Sequence, residues 1–475
     1  MTLEIGSRFD ITLEAVERVA WSGEGVRLSA RAVRVMERAR LGFEELISRP
    51  GVVIYGVTSG YGQNAAKVLS PAERLAHART PPAGAAAAWG DPFPDRVVTA
   101  IILARLANFV DGHAAVSPAV ALAVAAMLDG TALPVVPARG QGGAGEILAL
   151  SHLSWQVATT VPLAEKDVLS LINGSPVASA LVADAAIAAR RRLGIAVDVL
   201  ALAAEGFRTP PSHFASELET LWNNPHDAWA LQSLRDRLGA SGTPRRPYQA
   251  PVSFRILPRM LGLAHRASSE AEVIAEEALA AVTDNPVILQ GGDAAPGEAV
   301  SNGGFHNPYA PAAMDALAAS SANLCLIAGR LAAKLLDETV SRLPAQLQLG
   351  DDSYLGCLPM AITGYEDEAR LACQPTLLPG SESGGFGQND VASPAPLAWT
   401  KQERAGLLLE ASLAALAPIA LRALRVTGTA VPPRLAALVA EIERHVPDRG
   451  PGIRFGPLTG DLAGAFRRRV YGGSA

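Results

Sequence analysis

The chain has 475 residues, 49% of them hydrophobic, and a formal charge of −5, with a mean hydropathy of +0.20; this is material for a large core, not for a disordered chain. A mildly acidic balance excludes an ordinary nucleic-acid binder, which carries a basic stripe. The longest nearly apolar run, Ala114–Leu128, falls short of the roughly 18–20 residues that span a bilayer, and MTLEIGSRFD shows no basic-then-apolar leader, so we expect no membrane partner and a cytoplasmic location.

In chain order, Gly51–Val57 reads as a short strand running into a Gly-rich loop over 55–64. Ser70-Pro71-Ala72-Glu73 is a capping box with proline at the first helical position. Ser117-Pro118 opens a helix that Asp129-Gly130 closes, and Pro134–Val136 suggests another strand. Further irregular stretches lie at 139–146, 241–252, 301–308 and 381–396. Ser269 and Glu272 read as the cap of a helix reaching Val282, stopped by Thr283-Asp284-Asn285-Pro286, with Pro286–Gln290 as a strand. Asn307-Pro308 opens a helical pattern reaching about Ser341, roughly 50 Å at 1.5 Å per residue. Thr400 and Glu403 read as the cap of a comparable helix, with a kink expected at Pro418.

These lengths predict a mainly α protein, a bundle of long central helices with a loop-rich N-terminal part. Residues 309–336 carry few charges, and a helix apolar nearly all round is buried in a core or by other subunits. There are no clean boundaries. We read 1–200 as the N-terminal loop-rich part, 201–430 as the central bundle and 431–475 as a small C-terminal helical appendage. Cys325, Cys357 and Cys373 form no CxxC pair and read as reduced buried thiols. The eight histidines form no HExxH, so no metal site is expected. GQGGAGE at 140–146 lacks the spacing and the Lys-Ser/Thr of a phosphate loop.

Seven loops carry more information. They are YGVTSGYG (55–62), PARGQGGAGEILALSHL (137–153), LINGS (171–175), QAPVSFRILPRMLG (249–262), TDNP (283–286), NGGFHN (302–307) and QNDVAS (388–393). In this order and at these separations they resemble the aromatic amino acid ammonia-lyases, the histidase and phenylalanine ammonia-lyase family, from about Tyr55 to about Ser393. The resemblance implies a histidase-like helical fold, a homotetramer with sites shared between subunits, and β-elimination on a small-molecule amino acid carboxylate. It also implies an electrophile, methylidene-imidazolone (MIO), formed by cyclisation of an internal Ala-Ser-Gly.

Here the chain departs from the pattern. The corresponding loop is Gly140-Gln141-Gly142-Gly143-Ala144-Gly145-Glu146, and no Ser, Cys or Thr lies between Arg139 and Leu150. The exocyclic methylidene needs such a side chain to eliminate, so Gly143, Ala144 and Gly145 form a degenerate MIO loop and no cofactor is expected. Ala240-Ser241-Gly242 spells the triad but follows Asn173-Gly174, on the wrong side of it.

By the same resemblance, Tyr55 matches the base that removes the β-proton, and Asn173 an asparagine that holds the substrate. Gln249 and Arg255 match the glutamine motif and the arginine that pairs with the substrate carboxylate, as a guanidinium fork does. Phe305 matches a lining aromatic, and Asn389 stands at the side-chain selectivity position, where histidases carry glutamate. Val252 replaces a family tyrosine, and Ala85 a histidine. Glu146, the one acid in the altered loop, reads either as a solvated charge or as a substrate contact.

Three functions stay open. The first is a carbon–nitrogen lyase working without MIO on a substrate with a better leaving group, such as a trimethylammonium betaine, in the manner of ergothionase. Trp89, Tyr61, Phe305 and Phe386 are candidates to hold the cation, and Ala85–Ala88 to make room for it. The second is a different elimination, addition or isomerisation on the same scaffold. The third is a non-catalytic binding or structural homologue.

Overall fold

The computed structural model describes residues 2–130, 132–238, 244–246, 249–291, 297–348, 354–376, 389–448, 450 and 452–472. Phe386, Gln388 and Ala240-Ser241-Gly242 lie outside them. The fold is mainly α, with two two-stranded sheets among the described residues. Packing divides the chain into two units. One comprises Met1–Asp184, Ala271–Met314 and Pro375–Thr400, the other Ala185–Glu270, Asp315–Gln374 and Lys401–Ala475. This differs from the consecutive stretches 1–200, 201–430 and 431–475, because the long helices pass from one unit into the other.

In the first unit, Thr2–Ile5 pairs in parallel with Gly25–Leu28. Ser29 caps the helix Ala30–Ser48, its Oγ accepting the Ala32 N–H at 3.1 Å. Phe43 and Leu46 of that helix pack with Ile54, Val57, Ala115 and Ile288. The helix Asp95–Val110 runs through the core: from Val97 onward every residue but Thr99 is buried. Burial on all faces explains why that stretch is apolar apart from Arg105 and Asn108. The Ser70–Glu73 capping box forms, with Ser70 N–H donating to Glu73 at 2.8 Å and Glu73 N–H to Ser70 Oγ at 3.3 Å.

In the second unit, the buried Arg192 guanidinium donates to Glu410 at 2.8 Å, to Glu403 at 3.3 Å and to the Tyr471 hydroxyl. Tyr471 ends the helix Phe455–Tyr471, whose Phe466 and Val470 are fully buried. The C-terminal stretch is thus anchored in its unit by ion pairs and a core face; it is not an appendage. Arg245 pairs with Glu205 at 2.9 and 3.0 Å, and Phe207 stacks on Phe254 at 4.0 Å.

Several expectations are corrected. Gly51–Val57 and Pro134–Val136 are not strands; Val287–Leu289 is one, antiparallel to Glu298–Val300. Thr400 and Glu403 lie inside the helix Ala395–Val426, which runs through Pro418. Ser269 and Glu272 lie inside Leu257–Leu279. Both cap signatures follow helix-forming sequence whose prolines, Pro258 and Pro396, fall in the first turn, where proline is tolerated, so the helix begins upstream. Of the cysteines only Cys325 is buried, where desolvation pushes its thiol up to about 12; Cys357 is exposed.

The stretch Asp167–Gly206 and the helices Tyr309–Leu336 and Ala395–Val426 are long and apolar enough to cross a membrane by length and composition, contrary to the reading from Ala114–Leu128 alone. Their most apolar windows are 94%, 56% and 89% buried within the protein. The 400–425 segment is therefore covered by its own chain and needs no partner subunit to exclude water. Tyr309–Leu336 keeps an uncovered face.

Candidate active site

Tyr55 stands in a tight turn. The Ile54 carbonyl accepts N–H groups from Val57, Thr58 and Ser59 at 3.0–3.1 Å. Thr58 Oγ1 accepts the Ile54 N–H at 2.7 Å and donates to the Val52 carbonyl at 3.0 Å. These local bonds take the backbone groups that a ladder needs, so Val52-Val53-Ile54 turns despite its strand-like composition. Gly56 has φ +68°, and a β-carbon there would stand 2.7 Å from Leu169 Cδ2, so glycine is required. Tyr55 Oη accepts the Gly62 N–H at 3.1 Å. The neighbouring Tyr61 ring lies 4.7 Å from His77. Burial, then proximity to Tyr55, raises the Tyr61 hydroxyl above its ordinary pKa.

Asn173 follows the helix Asp167–Ile172. Its carbonyl accepts from Arg105 Nη1, and its side-chain Oδ1 is buried without a hydrogen-bond partner. A β-carbon built on Gly145 would stand 2.9 Å from Asn173 Nδ2 and 3.8 Å from Phe305 Cδ2. Behind this floor lies a buried polar network. Ser175 N–H donates to Thr283 Oγ1 at 2.9 Å, and Thr283 N–H to Asn108 Oδ1 at 2.7 Å. Lys166 Nζ meets Asp284 at 2.5 Å. Burial lowers Lys166, against the pull of Asp284. Burial likewise brings Arg105 down to about 10, against the pull of Asp284 and Glu146.

The altered loop crosses this floor. Gly143 accepts the Ser393 N–H at 3.1 Å, tying the loop to the 389–393 segment. Gly145 and Glu146 both have positive φ, +65° and +57°. Glu146 is 8% exposed, and its two carboxylate oxygens accept the N–H groups of Val177 and Ala178 at 2.6 and 2.8 Å. These are orphan donors in the first turn of the helix Pro176–Gly206. Glu146 is therefore not a solvated charge; with Gly143, Leu148 and Ser393 it borders a small enclosed void and does not line the large cavity above the floor. Burial pushes its carboxyl up to about 8, outweighing the two backbone N–H groups and Arg105. The loop does not fit MIO, because between Arg139 and Leu150 it has no Ser, Cys or Thr side chain to dehydrate.

A cavity of about 670 Å³ opens above the floor. Tyr55, Tyr61 and Phe305 give it three rings; Asn173, Asn285, Asn302 and Asn389 give it side-chain amides; Ala144, Gly145 and Ala85 line it as well. No charged side chain is among the described lining residues. Asn285 Oδ1 accepts the Asn302 N–H at 2.8 Å, and Asn302 Nδ2 donates to the Asp284 carbonyl at 3.1 Å, so the amide wall is braced. Trp89 does not line the cavity and is 84% exposed. Gln249, exposed, and Arg255 belong to the second unit. Arg255 has a buried Nε without a hydrogen-bond partner. Burial and its charge hold the nearby His213 below the usual imidazole range.

The sequence reading missed Arg105, Asn108, Asn285 and Asn302. The signal for the first was available: Arg105 is the lone charge between Arg96 and Asp111 in an otherwise apolar helix.

The model of a family described as "Aromatic amino acid lyase" matches residues 11–159 and 156–444. Histidine ammonia-lyase from Deinococcus radiodurans is 30% identical over 370 residues, 71% of this chain and 69% of that one. Among solved structures, ergothionase from Treponema denticola superposes with a TM-score of 0.89 at 19% identity, covering 100% of both chains. Tyrosine aminomutase from Streptomyces globisporus does so with 0.88 at 23%, covering 99% of this chain and 98% of that one.

Proposed function

Because the chain belongs to the aromatic amino acid lyase family and is a carbon–nitrogen lyase, we propose that it performs its β-elimination without MIO, on an amino-acid-derived betaine. The observation that carries this reading is the 143–146 loop, which lacks a dehydratable side chain and is closed against Asn173, beside a cavity that keeps the tyrosine and the aromatic lining.

The electrophile of the family serves to make a primary amine leave. A quaternary trimethylammonium already carries the positive charge and departs as a neutral amine. The Tyr55 phenolate oxygen takes the β-proton, with the Gly62 N–H as its partner before and after transfer. The Cβ–H electrons form the Cα=Cβ bond, and the Cα–N pair leaves with trimethylamine. Three rings and no acid among the described lining residues suit a cation that has no N–H to donate and is held by ring faces. Asn389 gives an amide where an imidazole-selective site carries an acid, which favours a neutral aromatic side chain. The guanidinium of Arg255, whose buried Nε has no hydrogen-bond partner, is the group suited to the substrate carboxylate, at a site shared between subunits of a homotetramer.

The test is a near-ultraviolet assay for conjugated acrylate, with trimethylated phenylalanine, tyrosine and histidine beside the parent amino acids. Turnover of a betaine and none of its parent amino acid supports the reading. Turnover of the parent amino acids at family-like rates would overturn it.

A further inference from the structure

The 143–146 loop is fixed at both ends. Gly143 is held by the Ser393 N–H, and Glu146 by Val177 and Ala178. Between these points Ala144 and Gly145 line the cavity, and Gly145 lies against the Asn173 amide. A non-glycine residue at positive φ is strained, and Glu146 keeps φ +57° while its carboxylate bridges two helix N–H groups. Asn173 is held from behind by Arg105, which also faces Glu146 across the buried floor. Nothing on the side chain of Asn173 fixes its Oδ1. The orientation of this amide depends on what Gly145 presses against it.

We propose that Glu146 is a positioning residue: by bridging the Val177 and Ala178 N–H groups it sets Gly145 beneath Asn173 and so aims the Asn173 amide at a ligand in the cavity. The structural part stands on geometry alone; the ligand part rests on the reading of the cavity as the substrate site. In this chain a non-covalent strap across the first turn of the Pro176–Gly206 helix takes over the rigidity of the floor. Glu146 itself touches no ligand, since it does not line the cavity.

The experiment compares the full chain with Glu146→Gln and Glu146→Asp. It reads amide hydrogen exchange over 143–146 and 173–178, calorimetric binding of cinnamate as a non-reacting aromatic acrylate, and kcat and KM for the active betaine. Both oxygens of the Glu146 carboxyl can accept, the hydroxyl hydrogen turning away when the group is protonated, whereas a glutamine offers one acceptor to two donors. Glu146→Gln should therefore speed exchange in both segments by roughly tenfold and weaken cinnamate by roughly tenfold, raising KM with a smaller change in kcat. Glu146→Asp, which keeps the carboxylate, should restore part of each effect; it also serves if the glutamine variant does not fold. Unchanged exchange over 173–178 in both variants overturns the proposal. So does weakened cinnamate binding with unchanged exchange, which would make Glu146 a direct contact. If the wild type binds no cinnamate and turns over no betaine while exchange changes as expected, the strap stands and the functional reading falls.

Discussion

The buried carboxyl of Glu146 makes a stability prediction that changes sign with pH. Its folded-state value is about 8 against an ordinary 4.5. Below 4.5 both folded and unfolded chains carry the proton, and burial of the group has no ionic cost. As pH rises from there, the unfolded chain ionises while the folded one does not. Folded stability then falls by about 1.4 kcal/mol per pH unit until the folded carboxyl also ionises near 8. Between pH 5 and 8 this amounts to about 4 kcal/mol. Glu146→Gln cannot ionise, so it is free of that slope. Where the protonated carboxyl still turns an oxygen to each N–H, its hydroxyl hydrogen pointing away, glutamine leaves one of the two buried N–H groups facing an amide NH₂, at a cost of about 1–3 kcal/mol. The variant should therefore be less stable than the wild type at pH 5 and more stable at pH 8, with the curves crossing between. Arg105, at about 10, stays charged across this window, and every other group is common to both proteins. Denaturant midpoints at matched pH and protein concentration, followed by tryptophan fluorescence, measure the difference. Parallel curves at all pH values would show that Glu146 ionises normally, and would refute the raised folded-state value.

Arg255→Leu should weaken a carboxylate ligand by about 3–5 kcal/mol in calorimetry, because a desolvated carboxylate loses its partner. Tyr55→Phe should bind cinnamate nearly as the wild type does while lowering turnover roughly 10²–10⁴-fold. Gly56→Ala forces a β-carbon against Leu169 at a φ that alanine resists; it should cost about 1–3 kcal/mol by denaturation and reduce turnover through displacement of Tyr55. Intact-mass measurement should return the unmodified 49.3 kDa chain, with no water lost to ring formation. Light scattering should give a homotetramer at micromolar concentration, the 309–336 helix keeping a face that its own chain does not cover.

The ordered loops were legible because each is short, Gly- or Asn-punctuated and local. Tyr55, Asn173, Phe305 and Asn389 line one cavity. The Ser70 box was legible for the same reason: its bonds close within four residues. What escaped is what depends on distant partners. The helix Pro176–Gly206 is apolar on nearly every face, so it shows little helical periodicity in sequence. Thr400 and Ser269 spell caps but are overruled by helix-forming sequence before them. Glu146 read as a solvated charge or a substrate contact because its two donors lie 31 and 32 residues away. Arg105 and Thr283 became site residues only once the core helix and the 283–286 turn were seen to share the floor under Asn173.

The cavity wall is written in three separated parts of the reading frame. Tyr55 through Asn173 come from the first, Asn285 through Phe305 from the second and Asn389 from the third, with the chain leaving the unit between them. A message truncated anywhere before codon 389 therefore encodes no version of this cavity with its wall complete. Neither unit is a cassette that recombination could lift out and graft onto another protein, since its pieces are interleaved with those of the other. Change at this site is confined to substitutions and small deletions within single loops, and the lack of a serine in the 140–146 segment is a change of that kind.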